Sequence, residues 1–276
     1  MTIGACPLTK LDKILIATDG SEAAKFAVQA AIELAKPCGS TIYAICVAEV
    51  PVFAAEFVET LPQVVDVLEK RAAQALDEIK AIAEKAQVKC ETISYTGPEP
   101  YKYIIDEAIK NSVDLIILGK KGVMLGAVGK KVIGNAPCKV LVVPTGAVLT
   151  FAKILVATDG SVYSNVAAAE AIAAAKRFNS ELIAVSVAKR DSDLAYSEEA
   201  VKTVKESAER EGLKVQTIVA KGEPFEQIVD AANKNQAGII FMGTYGKTGI
   251  EKFFMGSVTE RVIGTVSRPV MVVKKK

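Results

Sequence analysis

The chain of 276 residues contains no histidine and no tryptophan. Without histidine it lacks the commonest general base and the commonest metal ligand. Aromatic residues make up only 6% of the chain, while half of it is apolar, with Ala, Val and Ile prominent. That balance suits α/β units with buried parallel strands. A large charge imbalance is also missing. The formal net charge is +2, with 16 basic and 17 acidic side chains in residues 1–146 and 18 and 15 in residues 147–276. This argues against nucleic-acid binding through a basic patch and leaves Lys274-Lys275-Lys276 as a solvated end. No apolar run reaches the roughly 18 residues of a membrane span, and Met1 to Lys10 lacks the charged-then-apolar order of a signal peptide. The five cysteines, Cys6, Cys38, Cys46, Cys90 and Cys138, lie in the first half and form no CxxC pair. Odd in number, they are expected to be reduced thiols in a cytoplasmic protein.

What the chain does contain is one unit written twice. Lys13-Ile14-Leu15-Ile16-Ala17-Thr18-Asp19-Gly20-Ser21 returns 140 positions later as Lys153-Ile154-Leu155-Val156-Ala157-Thr158-Asp159-Gly160-Ser161. Two copies of this length mean duplicated domains, 1–146 and 147–276, not a solenoid. Pro144-Thr145-Gly146-Ala147 breaks the pattern between them. Each copy alternates short apolar runs with helical periodicity, which predicts a parallel sheet with crossover helices. Strands are expected near 13–18, 41–48, 88–94, 114–118 and 139–143, and near 153–158, 181–187, 214–219, 238–242 and 269–273. Ser21 and Ser161 are placed to cap the first helix of each copy, and Pro224 suits a first helical turn.

The offset between the copies drifts. Glu99-Pro100-Tyr101 matches Glu223-Pro224-Phe225, and Gly119 matches Gly243, both 124 apart. The extra residues of the first copy are expected between Glu49 and Pro62, as a surface for a second chain, a lid or a packed loop. From Gly126, which matches Gly256, the offset is 130, so the first copy has lost residues between Gly122 and Gly126.

In the second copy, Gly238-Ile239-Ile240-Phe241-Met242 reads as a buried strand. It runs into Gly243-Thr244-Tyr245-Gly246, and nine residues later into Gly256-Ser257-Val258-Thr259, which opens a helix. Glycines allow a sharp turn and close approach to a ligand. A helix start offers unpaired N–H groups and a partial positive charge, and Ser257 and Thr259 add hydroxyls. Together they read as a phosphate cradle. Gly246-Lys247-Thr248 imitates the end of a P-loop, but that loop needs four residues between its glycines and Gly243 and Gly246 have two.

This order, G-x2-G-x9-G-S, resembles the nucleotide signature of the universal stress protein family, in its ATP-binding branch, and the resemblance spans both copies. It implies two tandem Rossmann-like domains, each an open five-stranded parallel sheet of order 3-2-1-4-5 with helices on both faces. It also implies that the last strands, apolar edges that must be covered, pair to make an intramolecular pseudo-dimer; a further homodimer of whole chains is compatible with it. By resemblance, Ala157 and Asp159 line an adenine and ribose pocket, Val187 touches adenine, and Met242 and Gly243 lie under the ribose. Tyr245 and Gly246 begin the phosphate loop, and Gly256, Ser257, Val258 and Thr259 hold the phosphates. Tyr245 departs from the family's common histidine. The implied ligand is ATP, or AMP or ADP, with Mg or Mn riding on the phosphates.

No catalytic apparatus is legible: no base with a paired orienter, and no arginine placed by a motif against a leaving phosphate. The implied role is a nucleotide-dependent stress regulator. The alternatives are a slow ATP hydrolase on the same fold, or a scaffold that binds no nucleotide. The first copy keeps Gly119, Gly122 and Gly126, but Ala127 and Gly129 stand where Ser257 and Thr259 do. A degenerate site is expected there, or a shorter loop around a smaller anion aided by Lys120 and Lys121.

Overall fold

The apolar runs of the two copies become ten strands, and their outermost members show how the sheet ends. The computed structural model describes residues 11–50, 62–122, 125–246 and 255–274. The first copy runs β1 (Lys13–Thr18), α1 (Glu22–Cys38), β2 (Thr41–Glu49), α2 (Pro62–Lys85), β3 (Cys90–Gly97), α3 (Pro100–Lys110), β4 (Leu115–Lys120), α4 (Ala127–Asn135) and β5 (Lys139–Pro144). The second runs β6 (Lys153–Ala157), α5 (Val162–Phe178), β7 (Glu181–Ala188), α6 (Leu194–Arg210), β8 (Val215–Lys221), α7 (Pro224–Lys234), β9 (Ile239–Gly243), α8 (Ser257–Thr265) and β10 (Val270–Val273). A short 3-10 turn, Asp191–Asp193, precedes α6.

All ten strands form one sheet, in the order β3-β2-β1-β4-β5-β10-β9-β6-β7-β8. Each half has the expected 3-2-1-4-5 order. Every pairing within a half is parallel, and the halves join antiparallel at β5 and β10, with Leu141 opposite Met271. The expected pseudo-dimer is therefore one continuous sheet. Val140 to Val143 and Val270 to Val273 are all buried, so the two apolar edges cover each other. The free edges β3 and β8 instead alternate exposed and half-buried residues, as strands with one solvated face do. Alternate side chains of the seam feed two apolar layers. Leu141, Val143, Met271 and Val273 join the layer under α1, α2, α5 and α6; Val140, Val142, Val270 and Val272 join the layer under α3, α4, α7 and α8.

Polar groups clasp the seam from both sides. Lys120, only 3% exposed, sends its ammonium from the end of β4 to the carbonyls of Ile263 (2.6 Å), Gly264 (2.9 Å) and Val266 (3.0 Å) at the end of α8. Burial pushes the Lys120 ammonium below the usual lysine range. In the other direction Lys274, read from the sequence as part of a solvated end, instead donates to the carbonyl of Gly134 at the end of α4 (2.8 Å). Lys130 on α4 pairs with Glu260 on α8, and Lys139 with Glu170 across the seam at 3.1 Å.

Three further details differ from the sequence reading. Cys38 is disulfide-bonded, whereas Cys46, Cys90 and Cys138 are free, so the five thiols are not all reduced. Ser161 caps α5, accepting from the Ser164 amide at 3.2 Å, but Ser21 sits at the start of α1 with no side-chain cap bond. The extra length of the first copy is not confined to the stretch before Pro62, because α2 has 24 residues against 17 in α6. The rest of that stretch lies outside the described residues, as do Cys6 and Lys247. No helix among the described residues is long and apolar enough to cross a membrane.

Candidate functional site

β6 and β9 lie side by side, but the chain leaves them in opposite directions: β6 leads through α5 to β7, and β9 through α8 to β10. In an open α/β sheet that reversal leaves a crevice beyond the carboxyl ends of the two strands. A cavity of about 850 Å³ opens there, within the range of small-molecule sites. All eleven residues singled out from the sequence line it: Ala157, Asp159, Val187, Met242, Gly243, Tyr245, Gly246, Gly256, Ser257, Val258 and Thr259.

The wall divides by chemistry. Ala157, Val185, Val187, Met242 and Met255 supply apolar surface, and Pro224 and Ile228 add more from α7. Asp159 stands at the junction of the two strand ends. Its Oδ1 accepts from the Ser161 amide at 3.0 Å, and its carboxylate lies beside Gly246. Thr158, Ser161 and Ser164 form a polar knot behind it: the Thr158 and Ser164 hydroxyls are 3.1 Å apart, and Thr158 Oγ1 accepts from the Gly160 amide at 3.2 Å. Tyr245 turns its ring edgewise to Tyr163, with centroids 5.3 Å apart.

The phosphate-loop candidates are not interchangeable. The Gly256 amide is already used, donating to the Thr244 carbonyl at 2.9 Å. The buried Thr259 hydroxyl donates to the Gly243 carbonyl at 3.0 Å. Ser257 is exposed at the first position of α8. The phosphate-loop donors left to open onto the cavity are therefore the first-turn amides of α8 and the Ser257 hydroxyl. Gly243 has a reason beyond the one read in the sequence. A β-carbon there would sit 2.7 Å from the Tyr163 carbonyl carbon, so this glycine admits the start of α5 as well as lining the cavity.

Sequence reasoning missed Lys189, Asp193, Tyr196 and Ser197, which reach the cavity from the end of β7 and the start of α6. No motif marks them; only the repeated Glu-Pro before α3 and α7 could have pointed to Pro224. Among the described lining residues, Asp159 and Asp193 carry negative charge and Lys189 positive. The described part of the wall is not a cationic trap, and within it attraction for an anion falls to the helix start. No group of three Cys, Asp or Glu among the described residues could hold a metal.

The first copy has the same glycine packing, since a β-carbon on Gly119 would sit 2.6 Å from the Ala23 carbonyl oxygen. Its loop differs. Leu125, buried, packs so closely over Gly129 that a β-carbon there would be 2.8 Å from its Cδ1. Lys120, the counterpart of Thr244, has its ammonium bonded to the end of α8 instead of turned toward its own copy's loop.

A family model described as the universal stress protein family matches residues 10–144 and again 150–274. A universal stress protein of Methanocaldococcus jannaschii is 42% identical over 141 residues, covering 45% of this chain and 83% of that protein. One from Synechocystis is 27% identical over 289 residues, covering 95% of this chain and 99% of that one. The crystal structure of a universal stress protein from Archaeoglobus fulgidus superposes with a TM-score of 0.80 at 24% identity, covering 97% of this chain and all of that one. With both halves matched and the duplicated, edge-paired sheet in place, the chain belongs to the universal stress protein family.

Proposed function

We propose that this protein binds one adenine nucleotide per chain, in the second of its two units (1–146 and 147–276), and acts as a nucleotide-dependent regulator in the cytoplasm. The observation that carries the reading is the convergence of all eleven sequence-selected residues on one strand-end cavity. The apolar strip of Ala157, Val187 and Met242 takes the base, and the Asp159 carboxylate accepts from the ribose hydroxyls. The first turn of α8, with Ser257, takes the phosphates. Magnesium or manganese enters on the phosphates themselves. The ligand biases one shape or partner surface over another. In the first unit the lost hydroxyls, the filled space over Gly129 and the diverted Lys120 support a site that no longer binds ATP.

The test is mass spectrometry of ligand released from purified, denatured protein, with stoichiometry. One adenine nucleotide per chain is expected. Two would restore a working first site, and a flavin, or no retention of ATP by protein incubated with it, would sink the reading.

A further inference from the structure

The second copy's candidate phosphate helix is held from the first copy. α8 has nine residues, about 13 Å of helix. Its first turn lines the cavity. Its other end meets Lys120. The last carbonyls of a helix have no partner inside it, and an ammonium has three protons. Here three protons meet three carbonyls, those of Ile263, Gly264 and Val266, at 2.6, 2.9 and 3.0 Å.

The anchor itself is fixed. The Lys120 carbonyl accepts from both the amide (2.8 Å) and the hydroxyl (3.1 Å) of Thr145, and Lys120 is in register with Pro144 of β5. Midway along α8, Glu260 pairs with Lys130 of α4. In the second copy the position equivalent to Lys120 makes no such reach, and the bond to the end of α4 comes instead from Lys274, after β10. Thr244, at the position equivalent to Lys120, turns its hydroxyl to Val273 of its own copy at 3.2 Å.

We propose that Lys120 is a positioning residue for the second copy's ligand site: the degenerate first loop has been turned into the clamp that sets α8, and through it the amides of residues 257–259, against the cavity. This rests on the reading of that first turn as the phosphate grip. A short helix moves as a rod, and donors displaced by a fraction of an ångström grip an anion less well. Two ends of one rigid element thereby couple the copies.

The test uses the full chain with Lys120→Met, which keeps the apolar stem and removes the three donors. Lys274→Met is the matched control, because it breaks the reciprocal clasp on α4, which leads to no working site. ATP affinity is measured by calorimetry, and amide hydrogen exchange is followed across residues 257–266 without ligand. Lys120→Met is expected to raise the Kd for ATP about five-fold or more and to speed exchange in the first turn of α8. Lys274→Met is expected to do neither, although both variants unfold earlier. Equal effects of the two on affinity and on α8 exchange would reduce Lys120 to a general stabiliser and overturn the proposal. A wild-type chain that ignores ATP would sink the nucleotide reading alone; unchanged α8 exchange in Lys120→Met would then still overturn this one. Should Lys120→Met not fold, the half-exposed pair decides. Lys130→Glu should weaken ATP binding and loosen α8, and the swap Lys130→Glu with Glu260→Lys should restore both; no effect of the single change refutes the clamp.

Discussion

Gly246 and Asp159 touch: a β-carbon at position 246 would lie 2.7 Å from the Asp159 Oδ2. The approach brings the segment after β9 against the loop after β6, where the Ser161 amide holds the carboxylate. The obstacle is the tip of a side chain, which can swing away. At Gly243 the obstacle is the Tyr163 backbone, 2.7 Å from a β-carbon, which cannot move without shifting α5. The two substitutions should therefore part company. Gly246→Ala is expected to leave the unfolding midpoint near wild type while weakening ATP binding about ten-fold, as Asp159 is displaced. Gly243→Ala is expected to destabilise the fold by about 1–3 kcal/mol. Urea denaturation alongside calorimetric titration reads both, and a large stability loss in Gly246→Ala would contradict the assignment.

The two hydroxyls of the candidate phosphate loop divide in the same way. Thr259 is buried and donates to the Gly243 carbonyl, so Thr259→Val leaves that carbonyl short of a partner and should cost about 1–2 kcal/mol. Ser257 is exposed, and Ser257→Ala should change stability by less than about 0.5 kcal/mol. Its effect should fall on ATP affinity, lowered several-fold. A Ser257→Ala chain that binds ATP as wild type does would remove this hydroxyl from the grip.

The three free cysteines among the described residues should be chemically quiet. Burial pushes the Cys46 thiol up to about 11, with the Asp19 carboxylate adding to the rise. Burial likewise lifts Cys138 to about 12 and Cys90 to about 11. The thiolate is the reactive form, and a thiol with a pKa near 11 is about one part in a thousand ionised at pH 8. Native protein treated with iodoacetamide at pH 8 should stay unlabelled at these positions for as long as it takes a small thiol to react completely. The same treatment in denaturant should label all three. Rapid native labelling of Cys138 would mean that its pocket opens.

Much of this molecule could be read from one dimension because duplication supplies an internal comparison. The matching runs at Lys13 and Lys153 located β1 and β6, and the glycine spacing after β9 located the cavity. What escaped lies between the copies. A lysine after a strand, such as Lys120, reads as a solvated or anion-binding residue, and nothing local reveals that the end of α8 waits for it. The spent amide of Gly256 and the committed hydroxyl of Thr259 also depend on how the loop closes, which composition does not specify. Lys189, Asp193 and Tyr196 reach the cavity only because the turn after β7 folds back over it. The length gained by the first copy is shared with α2, because a lengthened amphipathic helix can keep packing on the sheet.

One buried carboxylate distinguishes the first copy's outer layer from the second's, where the equivalent position is Ala231. Glu107 is 3% exposed, and burial alone would raise its pKa. Bonds from Lys110 (2.8 Å), the Tyr95 hydroxyl (2.7 Å) and Asn111 Nδ2 (2.8 Å) outweigh that and hold the carboxyl below its usual range. An unfolded glutamate titrates near about 4.3, so as pH falls the unfolded chain takes up the proton first. The stabilisation from Glu107 is therefore complete above that value and is lost as pH falls through the lower, folded one. Glu107→Gln turns an amide NH2 toward groups that are themselves donors and should cost about 1–3 kcal/mol at pH 7. The gap between wild type and variant, from urea denaturation at pH 7, 4 and 3, should narrow at the most acidic point. A gap that stayed constant across that range would mean that the interaction is not carried by the ionised carboxylate.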